Sequence, residues 1–222
     1  MPRKMIPWHL LASFMLLSPV GTAVSASGGA VAVPAALHRE PVSTDRETAI
    51  FAGGCFWGVQ GVFSHVRGVL SATSGYAGGK AATARYETVS TGTTGHAESV
   101  RVVFNPRLVN YADLLRIYFS VVADPTEVNR QGPDRGPQYR TALFPLTPAQ
   151  ASVARDYIAQ LSAAHVFARP IATKLETQHG FFAAEAYHQD FMAKNPDFPY
   201  IVINDRPKVD ALRRLFPHDW KA

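Results

Sequence analysis

Cys55 is the only cysteine in the sequence, and it stands between a glycine pair and two aromatic side chains in Gly53-Gly54-Cys55-Phe56-Trp57-Gly58. A thiol on the first turn of a helix meets unpaired backbone N–H groups and the positive end of the helix dipole, which favour the thiolate. The stretch thus predicts a lowered thiol pKa and a nucleophile; the alternative is a buried cysteine serving as a small hydrophobe. Glu98 is the second candidate. It heads the row Glu98, Val100, Val102, Phe104, which shares one face of a strand by the period of two. A carboxyl at the end of an apolar row is desolvated, so its pKa rises and it keeps the proton a general acid must give. The alternative is a carboxyl at a frayed strand end that only reaches water.

Other groupings carry less. His188 or His96 could serve Cys55 as the base of a thiol hydrolase or acyltransferase. Phe56 and Trp57 argue against that, because an aromatic lining suits a methyl group on sulfur better than a peptide carbonyl. Ordinary core packing is the alternative for both rings. Zinc finds one cysteine, eight scattered histidines and no His-Glu-x-x-His. Glu185-x-x-His188 has the spacing of half a di-iron site, but a single copy leaves a satisfied structural histidine as the better reading.

The elements that must position these groups are legible in outline. Residues 48–51 read as a short buried strand, and Val59, Val62, Phe63 and Val66 follow at helical spacing. Residues 69–73 predict a strand, and Gly75-Tyr76-Ala77-Gly78-Gly79 a loop; Lys80-Ala81 lacks the Ser or Thr of a phosphate cradle. Asn110 and Asp113 cap a helix through Val122, and Thr147-Pro148-Ala149-Gln150 starts another. Residues 129–140 form a polar loop, stiffened by prolines, that carries Asp134 into a strand over 139–144. A strand is expected within 171–177, a helix over 183–194 and a last helix from 206 or 207 to 215. Strands and helices interleave, so the class is α/β or α+β, a sheet with helices packed on it.

A chain 47% hydrophobic and 18% charged has the composition of an ordinary globular protein. Its net charge of +5 includes Arg3 and Lys4, and the remainder is too scattered to argue for nucleic acid. Those two residues open a targeting segment: the apolar run Leu10–Leu17 follows, then a small-x-small site at Val24-Ser25-Ala26. Residues 1–26 are expected as a cleaved signal peptide, 27–45 as a flexible lead-in and 46–222 as one catalytic domain, with an uncleaved anchor as the alternative. An exported protein that is free of the membrane after processing follows.

The motifs around the two candidates resemble those of the A-type peptide methionine sulfoxide reductases, which act on the S epimer. Beyond Gly53–Gly58 the resemblance runs through Gly75–Gly79, Thr91–Glu98, Asn129–Gly132, Gln138–Arg140 and Ala184–Gln189, covering roughly residues 48–195. It implies a compact two-layer α/β roll with a mixed sheet and a ferredoxin-like core. It also implies roles: Cys55 as nucleophile, Glu98 as proton donor, Tyr86 and Tyr139 as ligands of the sulfoxide oxygen, Asp134 as an acidic group of the same site, and Phe56 and Trp57 as walls of a methyl pocket. The sequence departs at Ala123, where many relatives have histidine, and at Pro133, where asparagine is usual. Many relatives also carry one or two resolving cysteines, and this chain has none.

The implied reaction forms a sulfenic acid on Cys55, which a thioredoxin-like protein or a small thiol must reduce from outside. Oxidised proteins or free methionine sulfoxide are the expected substrates, no metal or organic cofactor is required, and a monomer is expected. If the chain is instead a Cys/His hydrolase, an acyl adduct forms; if it is a module that only binds oxidised methionine, no product forms.

Overall fold

A computed structural model describes residues 30–42, 44–177 and 179–222. The expected signal peptide, residues 1–26, lies outside the described residues.

Hydrophobic alternation dictates the sheet. In β1 (Glu47–Gly53), Ala49 and Phe51 enter one apolar cluster while Ile50 and Ala52 enter another on the opposite face. β2 (Val69–Ala77), β3 (Ala97–Phe104) and β6 (Thr141–Phe144) complete four long strands in the spatial order β6-β1-β3-β2, all antiparallel. Two helical crossovers join them: β1 to β2 through α1 (Phe56–Ser64), and β3 onward through α3 (Tyr111–Ile117). That order and connectivity are those of a ferredoxin-like core. Short strands extend both edges. β8 (Phe181–Ala183) pairs antiparallel with β2, and β7 (Lys174–Leu175) pairs parallel with β6, so the sheet is mixed. The fold is α/β, as expected.

The helices gather on one face. α1, α3, α4 (Pro148–Ala163) and α6 (Arg206–Leu215) all send residues into the cluster built on Phe51, Val100 and Val102, whereas the opposite face is closed by strand residues such as Ala97, Ala142 and Phe144. Caps set the helix starts as their residue types require. Asn110 and Asp113 form a reciprocal capping box, and the Thr147 side chain accepts the Gln150 N–H. Beyond Ile117 the helix widens into an underwound π-helical turn, Tyr118–Val122. Smaller elements include the one-turn helices α2 (Tyr86–Val89) and α5 (Phe191–Lys194) and the hairpin β4 (Arg130–Gln131) with β5 (Asp134–Arg135). No described helix is long and apolar enough to cross a membrane.

Three expectations are corrected. Gly75-Tyr76-Ala77 is not loop; pairing with β8 on one side and β3 on the other keeps it extended. Residues 183–194 do not form one helix. The Gln189 amide binds Ser74 N–H and the carbonyls of Ser74 and Ala184, and Asp190 turns left-handed (φ 55°) to give its N–H to Gln60. Side-chain bonds to β2 and α1 thus replace helical ones, leaving a 3-10 turn at Ala186–His188 and the single turn of α5. The lead-in, over residues 30–42, is packed rather than loose. Val33 is buried, its N–H donates to Ser120 and its carbonyl accepts from Arg116, while Tyr157 binds the Pro34 carbonyl and Glu40 accepts the Tyr111 N–H.

Candidate active site

β1 ends at Gly53, and Cys55 is the N-cap of α1, so the thiol stands at the strand-to-helix turn where the sequence places it. The turn depends on Gly54. Its φ is +89°, and a Cβ there would lie 2.6 Å from the Cβ of Gln131. Gln131 in turn clamps Asp124, accepting its N–H and donating to its carbonyl. The β4–β5 hairpin is thereby pressed against the Cys55 turn and brings Asp134 to it.

Glu98 arrives from β3 with only 3% of its surface exposed, and its Oε2 accepts the Phe56 N–H at 3.0 Å. That amide belongs to the first turn of α1, so acid and thiol share one helix end. Burial pushes the Glu98 carboxyl up to about 8; the Phe56 bond opposes this, and Asp134 and Asp205 add to it. Glu98 is therefore protonated at neutral pH.

The lowered thiol pKa expected for Cys55 is not found. Burial pushes the thiol well up; Glu98, once it ionises above about 8, pushes the same way, as do Asp205 and, less, Asp134, and a bond to the Trp57 N–H is all that opposes them. The helix end is present, but desolvation and carboxyl groups outweigh it.

Tyr86, at the start of α2, and Tyr139, closing a 3-10 turn after β5, are both half-buried and within electrostatic reach of Cys55, Glu98 and Asp134. Burial raises both phenols, so each remains a neutral O–H donor. Asp134 is half-buried and accepts the Tyr200 hydroxyl. Phe56 is covered almost completely, packed against the rings of Tyr76 and His188. Trp57 remains partly exposed, stacked on Phe191 at 3.7 Å with Tyr200 edge-on at 6.0 Å. The structure brings Cys55, Glu98, Tyr86, Tyr139 and Asp134 around one point, with Trp57 beside it and Phe56 beneath.

Glu185 and His188 hold this arrangement from outside. Glu185 accepts the Tyr86 N–H with one oxygen and the Tyr76 hydroxyl with the other. His188 Nδ1 accepts the Trp57 indole N–H at 3.1 Å, so its proton sits on Nε2. His96 binds the backbone at both nitrogens, to Gly79 and Lys80. His96 is thus engaged at both nitrogens, and the one unprotonated nitrogen of His188 is taken by Trp57 while its Nε2 has no partner among the described residues, so neither ring holds a free lone pair for the base a Cys/His hydrolase requires. Tyr200 was missed by sequence reasoning: the stretch after Lys194 has no period that marks it, and only its pairing with Asp134 reveals it.

The family model described as peptide methionine sulfoxide reductase matches residues 47–220. The chain is 55% identical over 178 residues to peptide methionine sulfoxide reductase MsrA 2 of Mesorhizobium japonicum, covering 80% of this chain and 91% of the relative. It is 49% identical over 185 residues to the MsrA 2 of a Synechocystis species, covering 82% and 86%. Among solved structures it resembles reduced Mxr1 of Saccharomyces cerevisiae, with a TM-score of 0.61 at 29% identity over 72% of this chain and 91% of that one. Since the match takes in every strand of the sheet and every residue gathered at the turn, the chain belongs to the peptide methionine sulfoxide reductases, oxidoreductases that restore oxidised methionine in protein repair.

Proposed function

We propose that this chain reduces methionine-S-sulfoxide, free or protein-bound, through attack of Cys55 on the sulfoxide sulfur. Glu98 gives its proton to the sulfoxide oxygen, which would otherwise be a very poor leaving group. The O–H groups of Tyr86 and Tyr139 steady that oxygen, and Trp57 walls the methyl group. The thiol proton passes to the Glu98 carboxylate, so the acid is restored. Thiol and sulfoxide become sulfenic acid and sulfide with no atom left over. The observation that carries this reading is the Glu98 carboxyl, buried, protonated and bonded at 3.0 Å to the amide that follows the nucleophile.

The sequence offers the sulfenic acid no second thiol. A thioredoxin-like protein or a small thiol therefore attacks it, and a second thiol releases Cys55. The basic start, short apolar run and small-x-small site support export, to the periplasm in a Gram-negative source, and the enzyme acts there as a monomer. Cys55→Ser is expected to abolish reduction of N-acetylmethionine-S-sulfoxide with dithiol present, and mass spectrometry without reductant to find one added oxygen on Cys55. Retained turnover in the variant, or an acyl adduct in place of the oxygen, would overturn the reading.

A further inference from the structure

One buried carboxyl takes no part in that scheme. Asp205 closes the π-helical turn Ile201–Asp205 ahead of α6 and has no exposed surface. Its Oδ1 accepts a hydrogen bond from Lys208 Nζ at 3.2 Å, and its Oδ2 has no partner among the described residues. Orphaned buried oxygens are rare, and each asks for a reason. Its position supplies one. A Cβ at Gly58 would stand 2.0 Å from Oδ1 and 2.6 Å from the carboxyl carbon, so the group is pressed on the first turn of α1. That turn begins at Cys55, and its first amide is already taken by Glu98.

Two anions cannot both be favoured at one helix end. The groups whose charge or hydroxyl bears on Cys55 are Glu98 from β3, Asp134 from β5, Asp205, and the phenols of Tyr86, Tyr139 and Tyr200. Glu98 is protonated, and Asp134 is engaged by Tyr200. Burial pushes the Asp205 carboxyl up and the charge of Asp134 adds to this, but Lys208 is bonded to it at 3.2 Å and favours the charged form, while the neighbouring Arg206 turns to Pro196 and Asp197.

We propose that Asp205 is a positioning residue for the lone nucleophile: ionised against the first turn of α1, it competes with the Cys55 sulfur for the positive end of that helix and holds Cys55 as the thiol until a sulfoxide enters. The proposal rests on Cys55 being the nucleophile. A sulfoxide brings a partly positive sulfur to the thiol, which offsets the Asp205 charge at the moment of reaction. At rest the held proton protects the enzyme. A thiolate attacks one oxygen of hydrogen peroxide, the O–O bond breaks, hydroxide leaves, and the resulting sulfenic acid goes on to irreversible sulfinic acid when no second cysteine traps it.

The test is the pH profile of Cys55 alkylation by iodoacetamide in the full chain without sulfoxide. Asp205→Asn and Asp205→Ser are each expected to lower the midpoint by about one unit and so raise the rate at pH 7 about tenfold. Sulfinic acid formed by hydrogen peroxide, read by mass spectrometry, rises in step. Asp197→Asn, an exposed carboxyl on the same segment, leaves the profile unchanged. Midpoints equal to wild type in both Asp205 variants overturn the proposal. Should neither variant fold, the wild-type profile decides: a midpoint at or below the ordinary thiol value of about 8.5 overturns it. Alkylation reads only the ionisation of Cys55, so this failure is distinct from sulfoxide turnover surviving in Cys55→Ser.

Discussion

Glu98 and Cys55 meet at a single amide, the Phe56 N–H, although they come from β3 and from the end of β1. Because burial raises the carboxyl to about 8, the single-turnover rate of sulfoxide reduction is expected to fall as pH climbs through that value. In Glu98→Gln that limb disappears, and the rate drops by about 10²- to 10⁴-fold at neutral pH with little change in binding. Stability carries the same signature. The folded protein keeps a proton that the unfolded chain has lost, so stability declines from the ordinary glutamate range up to about 8 and then levels. Denaturant melts of Glu98→Gln, run alongside wild type at several pH values, should show that slope removed. Tyr200→Phe frees Asp134 from its hydroxyl partner and is expected to lower kcat/KM by about tenfold, the worth of one hydrogen bond to a charged group. Glu98 was legible because a strand's period places its side chain with no other knowledge. The ionisation of Cys55 was not. Its helix end is local in sequence, whereas the burial that outweighs it is a product of the whole fold, and the carboxyls that add to it come from residues 98, 134 and 205.

Between residue and fold stand the pieces that aim the site. The β4–β5 hairpin leans on Gly54, and Gly54→Ala combines a strained φ with the 2.6 Å clash at Gln131. It is expected to displace the hairpin and cost more than tenfold in kcat/KM along with a lower melting temperature. The Glu185–Gln189 segment binds Tyr86, Tyr76, Trp57 and Ser74 in succession. His188→Phe keeps the ring and removes the acceptor for the Trp57 indole. KM should rise several-fold with kcat less affected, and tryptophan emission should shift as the indole loses its partner. Sequence showed the caps at Asn110 and Thr147 because their side chains bond within four residues. It misread 183–194 because the partners of Gln189 and Asp190 lie in β2 and α1, far along the chain. Glu185-x-x-His188 looked like half a metal site and is a brace, its two side chains spent on a backbone amide, a phenol and an indole.

Taken as one body, the molecule extends earlier in sequence than the pattern suggested. Residues 30–42 lie across α3 and α4, with Val33 buried and Ser120, Tyr157 and Arg116 bonded to them. Removing them is expected to cost about 3 kcal/mol and to lower the melting temperature by roughly 10 °C. Active-site titration should show the surviving folded fraction still reactive. The Pro34, Pro41 and small residues of that stretch read as a linker because they lack any period, although packing against a preformed surface needs none. The sheet was the most legible part, since its strands declare themselves by alternation, yet the order β6-β1-β3-β2 came into view only with the crossovers. One wall of the reaction chamber comes from the far end of the chain, where Phe198 and Tyr200 stand beside Trp57 and Asp205 seats against α1. A ribosome therefore completes the sulfur-bearing turn well before it makes the residues that pack beside it. Until the last segment folds, the one thiol that the finished molecule buries is open to oxidant as well as to substrate.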